Sequence, residues 1–295
     1  MAPPIYRIFS WLRKHPGAGW TILLLYAAMV SFPHEQVQTL VGNAAKLMGR
    51  ANLYRWAGAI GIASAAAVTA VLLPELRSRK QRRLIGAYLA GTFLLIFAAW
   101  SLLTANNTEL AHYPQYFVPG AMLMAMTLSS VESLAWIIIV GGLDEGYQYS
   151  VLHAGWAVPF DFNDVTMDFL GGALGVVFAM SFLHSEAAVR RTPGGFFKTV
   201  FSKPGAAALT AILAAGTLLL AWGKMLLYKD EANHFYWFAL SRLRPESFWF
   251  FDVTWGPKTF HTLSPVEGPI LLLLALALYG LLDWKLVFSA PREGE

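Results

Sequence analysis

Eight polar side chains stand at helical spacings in the middle of a chain that is otherwise largely apolar. Glu109, His112 and Tyr116 follow i, i+3, i+7, Glu145 and Gln148 follow i, i+3, and Asp161, Asp164 and Asp168 follow i, i+3, i+7. On an α-helix each set lies along one face. An imidazole among carboxylates could hold a hard, oxygen-preferring cation such as Ca²⁺ or Mg²⁺. It could also run general acid–base chemistry, with one carboxyl kept protonated by its neighbours. Proton relay is a third use, and gripping a cationic or hydroxyl-rich ligand a fourth. The chain has no nucleophile-plus-base signature, no phosphate-cradling loop and no His-x-x-x-His helix to choose among them. Catalytic residues, metal and cofactor therefore stay open.

Each residue also has a plain structural use. Asp161 or Asp164 could cap the helix that follows, where a carboxylate accepts orphan N–H groups. Asp168 lies about one turn further in, past the useful reach of the helix dipole. His112 alone could be an interfacial hydrogen-bonder, and Glu145 with Gln148 an interhelical link. The face carrying the aspartates continues as Gly171, Gly172 and Gly175. Gly171-x-x-x-Gly175 is a small-residue pair that lets helix backbones approach. The expectation is a polar pocket closed below by tight helix packing, with Asp144 given no role.

The setting is a membrane. Of 295 residues, 56% are hydrophobic and 14% charged, with mean hydropathy +0.49. Soluble domains run at about 25% charged. Ionisable groups beside membrane helices are costly unless paired or hydrated, so they mark function by default. The pI near 9.2 reflects Lys and Arg in loops. No basic stripe interleaved with stacking aromatics points to nucleic acid. The absence of cysteine excludes disulfides, thiolate catalysis and Cys-ligated metals.

The spacing predicts an all-α, polytopic membrane protein in one domain, residues 1–295. Eight candidate spans fall near 17–33, 56–73, 84–104, 112–129, 132–149, 164–183, 206–228 and 268–285. The last-but-one of these would hold Lys224 inside a helix. Arg7, Arg13 and Lys14 precede an apolar run with no small-x-small cleavage site, which reads as an uncleaved first helix. The basic cluster Arg77, Arg79, Lys80, Arg82 and Arg83 orients both termini to the cytoplasm. The polar residues then gather on the outer side. Residues 36–54 read as an amphipathic helix in the interface plane. The outer loop 229–267 is rich in aromatics, from Phe235 to Trp237 and from Phe248 to Trp255, and is expected to dip into the outer leaflet.

Glu145-x-x-Gln148 followed by Asp161-Phe-Asn-Asp164-x-x-x-Asp168-x-x-Gly171-Gly172-x-x-Gly175 resembles the second half of the VanZ-like family signature. His112-Tyr-Pro-Gln-Tyr116-Phe117 resembles that family's His-containing helix start, and the similarity spans about residues 105–180. Glu109 stands where the family has a basic residue, Val158-Pro159-Phe160 where it has an Arg, and Asp168 where it has Asn. The pocket is thus more negative than the family pattern.

What the resemblance implies is a bacterial inner-membrane protein of a group associated with teicoplanin resistance, with no settled mechanism. The expected partners are membrane lipids and an envelope glycolipid, lipid-linked molecule or lipoglycopeptide, but not nucleic acid. Two other readings stand beside it: an accessory subunit packed against other membrane subunits, and a membrane-embedded hydrolase or transferase using Glu145, His112 and Asp164 or Asp168.

Overall fold

The computed structural model describes residues 4–77, 82–156, 158–189, 203–242, 249–252 and 258–288. The helices are α1 (Pro4–Lys14), α2 (Pro16–Ser31), α3 (His34–Met48), α4 (Arg50–Arg77), α5 (Arg82–Leu102), α6 (His112–Thr127), α7 (Ser130–Tyr147), α8 (Phe162–Val189), α9 (Pro204–Ala221) and α10 (Glu267–Phe288). A 3-10 turn at Asn107–Ala111 leads into α6, and a π-helical turn at Gln148–Leu152 ends α7.

A helix lies at each of the eight expected positions. Five, namely α4, α5, α8, α9 and α10, are long and apolar enough to cross a membrane, and a sixth if α2 and α3, bent by 51°, form one span. The other two miss for physical reasons. With 16 residues, α6 is short against the roughly 17–25 that a hydrocarbon core requires. With 18 residues, α7 carries Glu132, Asp144 and Glu145.

The all-α expectation needs one amendment, because two small sheets close the chain's loops. Strands β1 (Met225–Leu226) and β2 (Phe238–Ala239) pair in parallel, and β3 (Trp249–Asp252) pairs antiparallel with β4 (Lys258–His261). β1 falls in the last residues of the expected seventh span and β2, β3 and β4 in the expected aromatic loop; Phe248 and Trp255 of that loop lie outside the described residues, as do Arg79 and Lys80 of the basic cluster. Phe235 and Trp237 are exposed, as residues in an interfacial belt would be.

The seventh span also ends sooner than expected. α9 stops at Ala221 and Gly223 takes φ +66, a left-handed turn that glycine adopts without a Cβ penalty. Lys224 therefore lies outside the helix, with its Nζ 5.6 Å from the Trp237 ring centre. The amphipathic helix is present as α3, with Val37, Leu40 and Leu47 exposed. It stops at Gly49, where φ is +82, so residues 50–54 belong to α4.

The architecture is a ring of helices around α8. The most apolar 18-residue stretch of α8 is wholly buried, against 6% for α4 and 17% for α9. α4 and α9 thus keep apolar surface uncovered, whereas the apolar stretch of α8 is covered by protein. Its closest neighbour is α6, and small residues allow the approach. A Cβ at Gly175 would collide with the Phe117 carbonyl oxygen, and one at Gly120 with the Gly172 carbonyl. At Gly171 a Cβ would sit 2.5 Å from the Tyr113 carbonyl oxygen. Of the glycine face read from the sequence, Gly171 and Gly175 make the α6–α8 contact, and Gly172 meets Ile137 of α7.

One end of the bundle is held by two buried carboxylates. Asp283 of α10 accepts from Ser129 Oγ at 3.0 Å, Ser130 Oγ at 2.8 Å and the Val131 N–H at 3.2 Å, satisfying the start of α7. Glu132 accepts from the Gly205 N–H at 2.9 Å and Trp136 Nε1 at 2.9 Å, satisfying the start of α9. Helix N-termini leave such donors without intrahelical partners.

The glycine contact carries a prediction. Gly175→Ala forces two backbones apart and is expected to destabilise the fold by about 1–3 kcal/mol. Gly142→Ala, which meets nothing within 4 Å, is expected to leave stability unchanged or slightly raise it. Thermal unfolding of the two variants in the same detergent checks the contrast.

Candidate functional site

The other end of the bundle gathers the C-terminal ends of α5 and α7 and the N-terminal ends of α6, α8 and α10. His112 is the first residue of α6, placed by the 3-10 turn before it. Asn106 starts that turn, its side-chain oxygen accepting from the Thr108 N–H at 2.9 Å. Glu109 closes it, accepting from the Ala105 N–H at 2.9 Å and Asn106 Nδ2 at 3.0 Å.

At the centre His112 lies between two aspartates of α8. Its Nδ1 is 2.9 Å from Asp168 Oδ1, and its Nε2 is 3.6 Å from Asp164 Oδ1. The spacing of Asp164 and Asp168 by one turn is what lets them take the two ring nitrogens. Tyr116, one turn on from His112, brings its hydroxyl to Asp168 from the same α6 face. From the other side α7 approaches through Gly141, where a Cβ would sit 2.9 Å from Asp168 Oδ2. Glycine at that position gives the carboxyl its room.

Asp144 stands one turn beyond Gly141, and its charge acts on both Asp168 and Tyr116. It is buried, 7% exposed, and its Oδ1 has no hydrogen-bond partner among the described residues. Buried polar atoms are paired in the great majority of cases, so an orphan carboxylate oxygen requires a reason.

A second layer fixes the approach to α8. Glu145 Oε1 accepts from the Asp161 N–H at 2.9 Å, and Asp161 Oδ1 accepts from the Asn163 N–H at 2.9 Å. Asp161 is thus the helix cap, as one of the two structural readings had it. Asn163 Nδ2 donates to the carbonyls of Leu103 at 2.8 Å and His261 at 2.7 Å, while its Oδ1 accepts from the Leu263 N–H at 2.9 Å. One side chain thereby ties the end of α5, the end of β4 and the start of α8.

The segment before Asp161 is held by the loop after β2. The Phe160 N–H donates to Leu240 O at 2.8 Å and the Arg242 N–H to Val158 O at 3.2 Å. The Arg242 guanidinium lies 3.9 Å from the Tyr149 ring centre and donates to the carbonyls of Tyr149 at 2.7 Å, His153 at 2.6 Å and Trp156 at 3.2 Å. These carbonyls lie in and just after the π-helical turn, and His153 O also accepts from the Trp156 N–H at 2.9 Å.

Among the expected residues, Glu109, His112, Tyr116, Glu145, Asp161, Asp164 and Asp168 come together. Gln148 is buried at the start of the π-helical turn and continues α7 through its backbone, its N–H reaching Asp144 O and Glu145 O. The three acids Glu109, Glu145 and Asp161 each serve local backbone, which leaves Asp164, His112, Asp168 and Tyr116 as the part without a purely structural task. Sequence reasoning missed Asp144, Asn163 and Arg242. Asp144 had a signal, because it stands one turn before Gln148 on the same α7 face; Arg242 had none.

Burial sets the charge at the outer edge of the site. It pushes the Glu109 carboxyl up to about 8, with the nearby charges of Asp164 and Asp161 adding to the rise. It pushes Asp161 up to about 7, with Asp164 adding to it. Among the described residues no three His, Asp or Glu side chains converge with the geometry of a metal centre. What the arrangement offers chemically is an imidazole with a carboxylate on each ring nitrogen, suited to proton transfer or to holding a positively charged group.

Two outcomes follow. A carboxyl whose folded value lies above its ordinary value of 4.5 stabilises the fold while protonated, and that contribution is lost as pH rises from 4.5 through about 8. Glu109→Gln is therefore expected to flatten the fall in melting temperature between pH 5 and 8. Arg242→Ala removes the guanidinium donor of the part-buried Tyr149 carbonyl, at about 1–3 kcal/mol for a buried group left unpaired, while His153 O keeps the Trp156 N–H. Amide exchange over residues 148–156 is expected to accelerate, with α8 unchanged.

The chain matches no family model, no curated protein and no solved structure.

Proposed function

We propose that this chain is a VanZ-like multi-pass protein of the bacterial inner membrane that binds, or acts on, an envelope or lipid-linked molecule through the polar end of its bundle. The observation that carries the reading is the meeting of His112, Tyr116, Asp164 and Asp168 from two helices, beside Asp144 and Glu145 from a third. Intramembrane ionisable groups are expensive to retain, and a purely structural use accounts for only part of this set. The fit to the outer leaflet comes from charge placement. Arg82 and Arg83 begin α5, whereas Leu103, just past its end, meets Asn163 at the site. The basic residues and the acidic site thus sit at opposite ends, and basic ends favour the cytoplasm. Eight crossings with both termini inside is the topology proposed. Association with lipoglycopeptide resistance belongs to the same proposal and rests on the sequence resemblance alone.

An accessory-subunit role is the second reading, favoured by the almost fully uncovered face of α4, which a partner helix could occupy as well as lipid.

Purification of the full chain in native lipid, followed by mass spectrometry of what stays bound, tests the proposal. An envelope or lipid-linked molecule is expected to co-purify with the wild type and to fall at least tenfold in Asp168→Asn and His112→Gln, with helical circular dichroism unchanged. Equal retention by all three would remove the site from the account. Stoichiometric membrane subunits in place of a small molecule would favour the second reading.

A further inference from the structure

α1 belongs to none of the eight expected crossings, and the chain breaks before α2. His15 leaves the helix at φ −125 and ψ 62, and Pro16 opens α2. A proline ring lacks the N–H and clashes with the preceding turn, so one helix cannot run through. The 11 residues of α1 reach about 16 Å, roughly half of a hydrocarbon core. α1 packs instead on the basic end of the bundle. Phe9 and Leu12, both 4% exposed, form its inner face. The Phe9 ring stands 6.3 Å from that of Phe182, in the half of α8 away from the aspartates. Leu12 lies beside Gly19 of α2, where an added Cβ would be 3.5 Å from its side chain.

The outer face of α1 is basic and apolar at once. Ile8 is 58% exposed and Trp11 45%, with Arg7 and Lys14 exposed beside them. Arg7, Trp11 and Lys14 follow i, i+4, i+7, so two cations flank an indole in one row, with Ile8 next to it. α1 contains no acid. Arg82 and Arg83, exposed at the start of α5, lie at the same end. Of the acids whose side chains are described there, Asp283 and Glu132 are buried in helix starts, which leaves Glu75. The charge presented at this end is therefore positive.

We infer that the outer face of α1 is a docking surface for acidic glycerophospholipid, with the phosphates against Arg7 and Lys14 and the acyl chains against Ile8 and Trp11. Such a face suits the membrane boundary, where a helix lies in the plane with its apolar side chains below and its cations at headgroup level. A soluble anion would meet the cations and leave Ile8 and Trp11 in water. A neutral lipid would cover Ile8 and Trp11 and leave the cations without counter-charge. An acidic lipid supplies both. The surface lies at the opposite end of the bundle from His112 and Asp168 and requires no ligand there.

The test reconstitutes the full chain in mixed phosphatidylcholine–phosphatidylglycerol vesicles and counts the lipids that stay bound by native mass spectrometry. Phosphatidylglycerol is expected to be enriched on the wild type over its share of the vesicle, and the enrichment to fall as salt rises. Arg7→Gln with Lys14→Gln is expected to lower the enrichment at least fivefold, about one cation's contribution at an anionic surface. Ile8→Ser with Trp11→Ala is expected to lower it as well, and added pyrophosphate to leave it unchanged. Lys224→Gln with Lys229→Gln, at the other end of the bundle, is expected to keep it. The four α1 positions are exposed, so helical circular dichroism should be unaltered, and the salt series on the wild type reads the same surface with no substitution. No enrichment, indifference to salt, survival in Arg7→Gln with Lys14→Gln, displacement by pyrophosphate, or an equal loss in the Lys224 and Lys229 pair would each overturn the inference. Asp168→Asn is expected to keep the enrichment, so failure of the acidic site would leave this surface standing, and the reverse.

Discussion

Past its first turn α8 is surrounded by protein, so a carboxylate there, unlike the partly open Asp164 near its start, cannot reach water. Asp168 sits in its wholly buried stretch, so its charge has to be met from within the bundle. His112 does this from α6, and the 2.9 Å contact dictates where α6 must begin and how close it must run. An ionised group left unpaired in low dielectric costs several kcal/mol, far more than any surface contact could return. The glycines at 120, 171 and 175 are the means of the approach, since a Cβ at each would run into the facing backbone of α6 or α8, while Gly172 makes room for Ile137 of α7.

The same logic runs at both ends of the bundle with different results. At the basic end, Asp283 and Glu132 are each surrounded by donors from helix starts, which accounts for them as caps. At the acidic end, the caps and backbone links absorb Glu109, Glu145 and Asp161, yet acids remain. Asp164 is partly open to solvent, Asp168 is held by the imidazole, and Asp144 keeps an oxygen without a donor among the described residues. A polar network only partly satisfied is costly in a dry interior, and that residue of unsatisfied charge separates a site from scaffolding.

Much of the α6–α8 contact was legible in the sequence. The aspartate face of α8 and the His112–Tyr116 face of α6 follow from helical spacing, and the glycine run on the same face foretold close packing. The capping of α8 by Asp161 was legible for the same reason, since capping is local. What could not be read was tertiary. Asn163 sits between two aspartates with no mark to show that it ties α5, β4 and α8 together. Arg242 is distant in sequence from the carbonyls it serves. Asp144 was visible as a charge, but whether its neighbour in space would be a donor or another acid depends on how α7 rotates against α8. Apolar length marks five or six of the eight expected crossings, because α6 is short and α7 carries acids near its ends.

The account stands or falls on the His112–Asp168 contact, and a double-mutant cycle measures it directly. Unfolding of the wild type, His112→Gln, Asp168→Asn and the double variant is followed in one lipid or detergent. If the two side chains meet inside the bundle as described, the double variant is less destabilised than the sum of the single ones, by on the order of 1–3 kcal/mol. Additive effects would mean that the two residues do not interact, and the arrangement of α6, α7 and α8 around that contact would be contradicted.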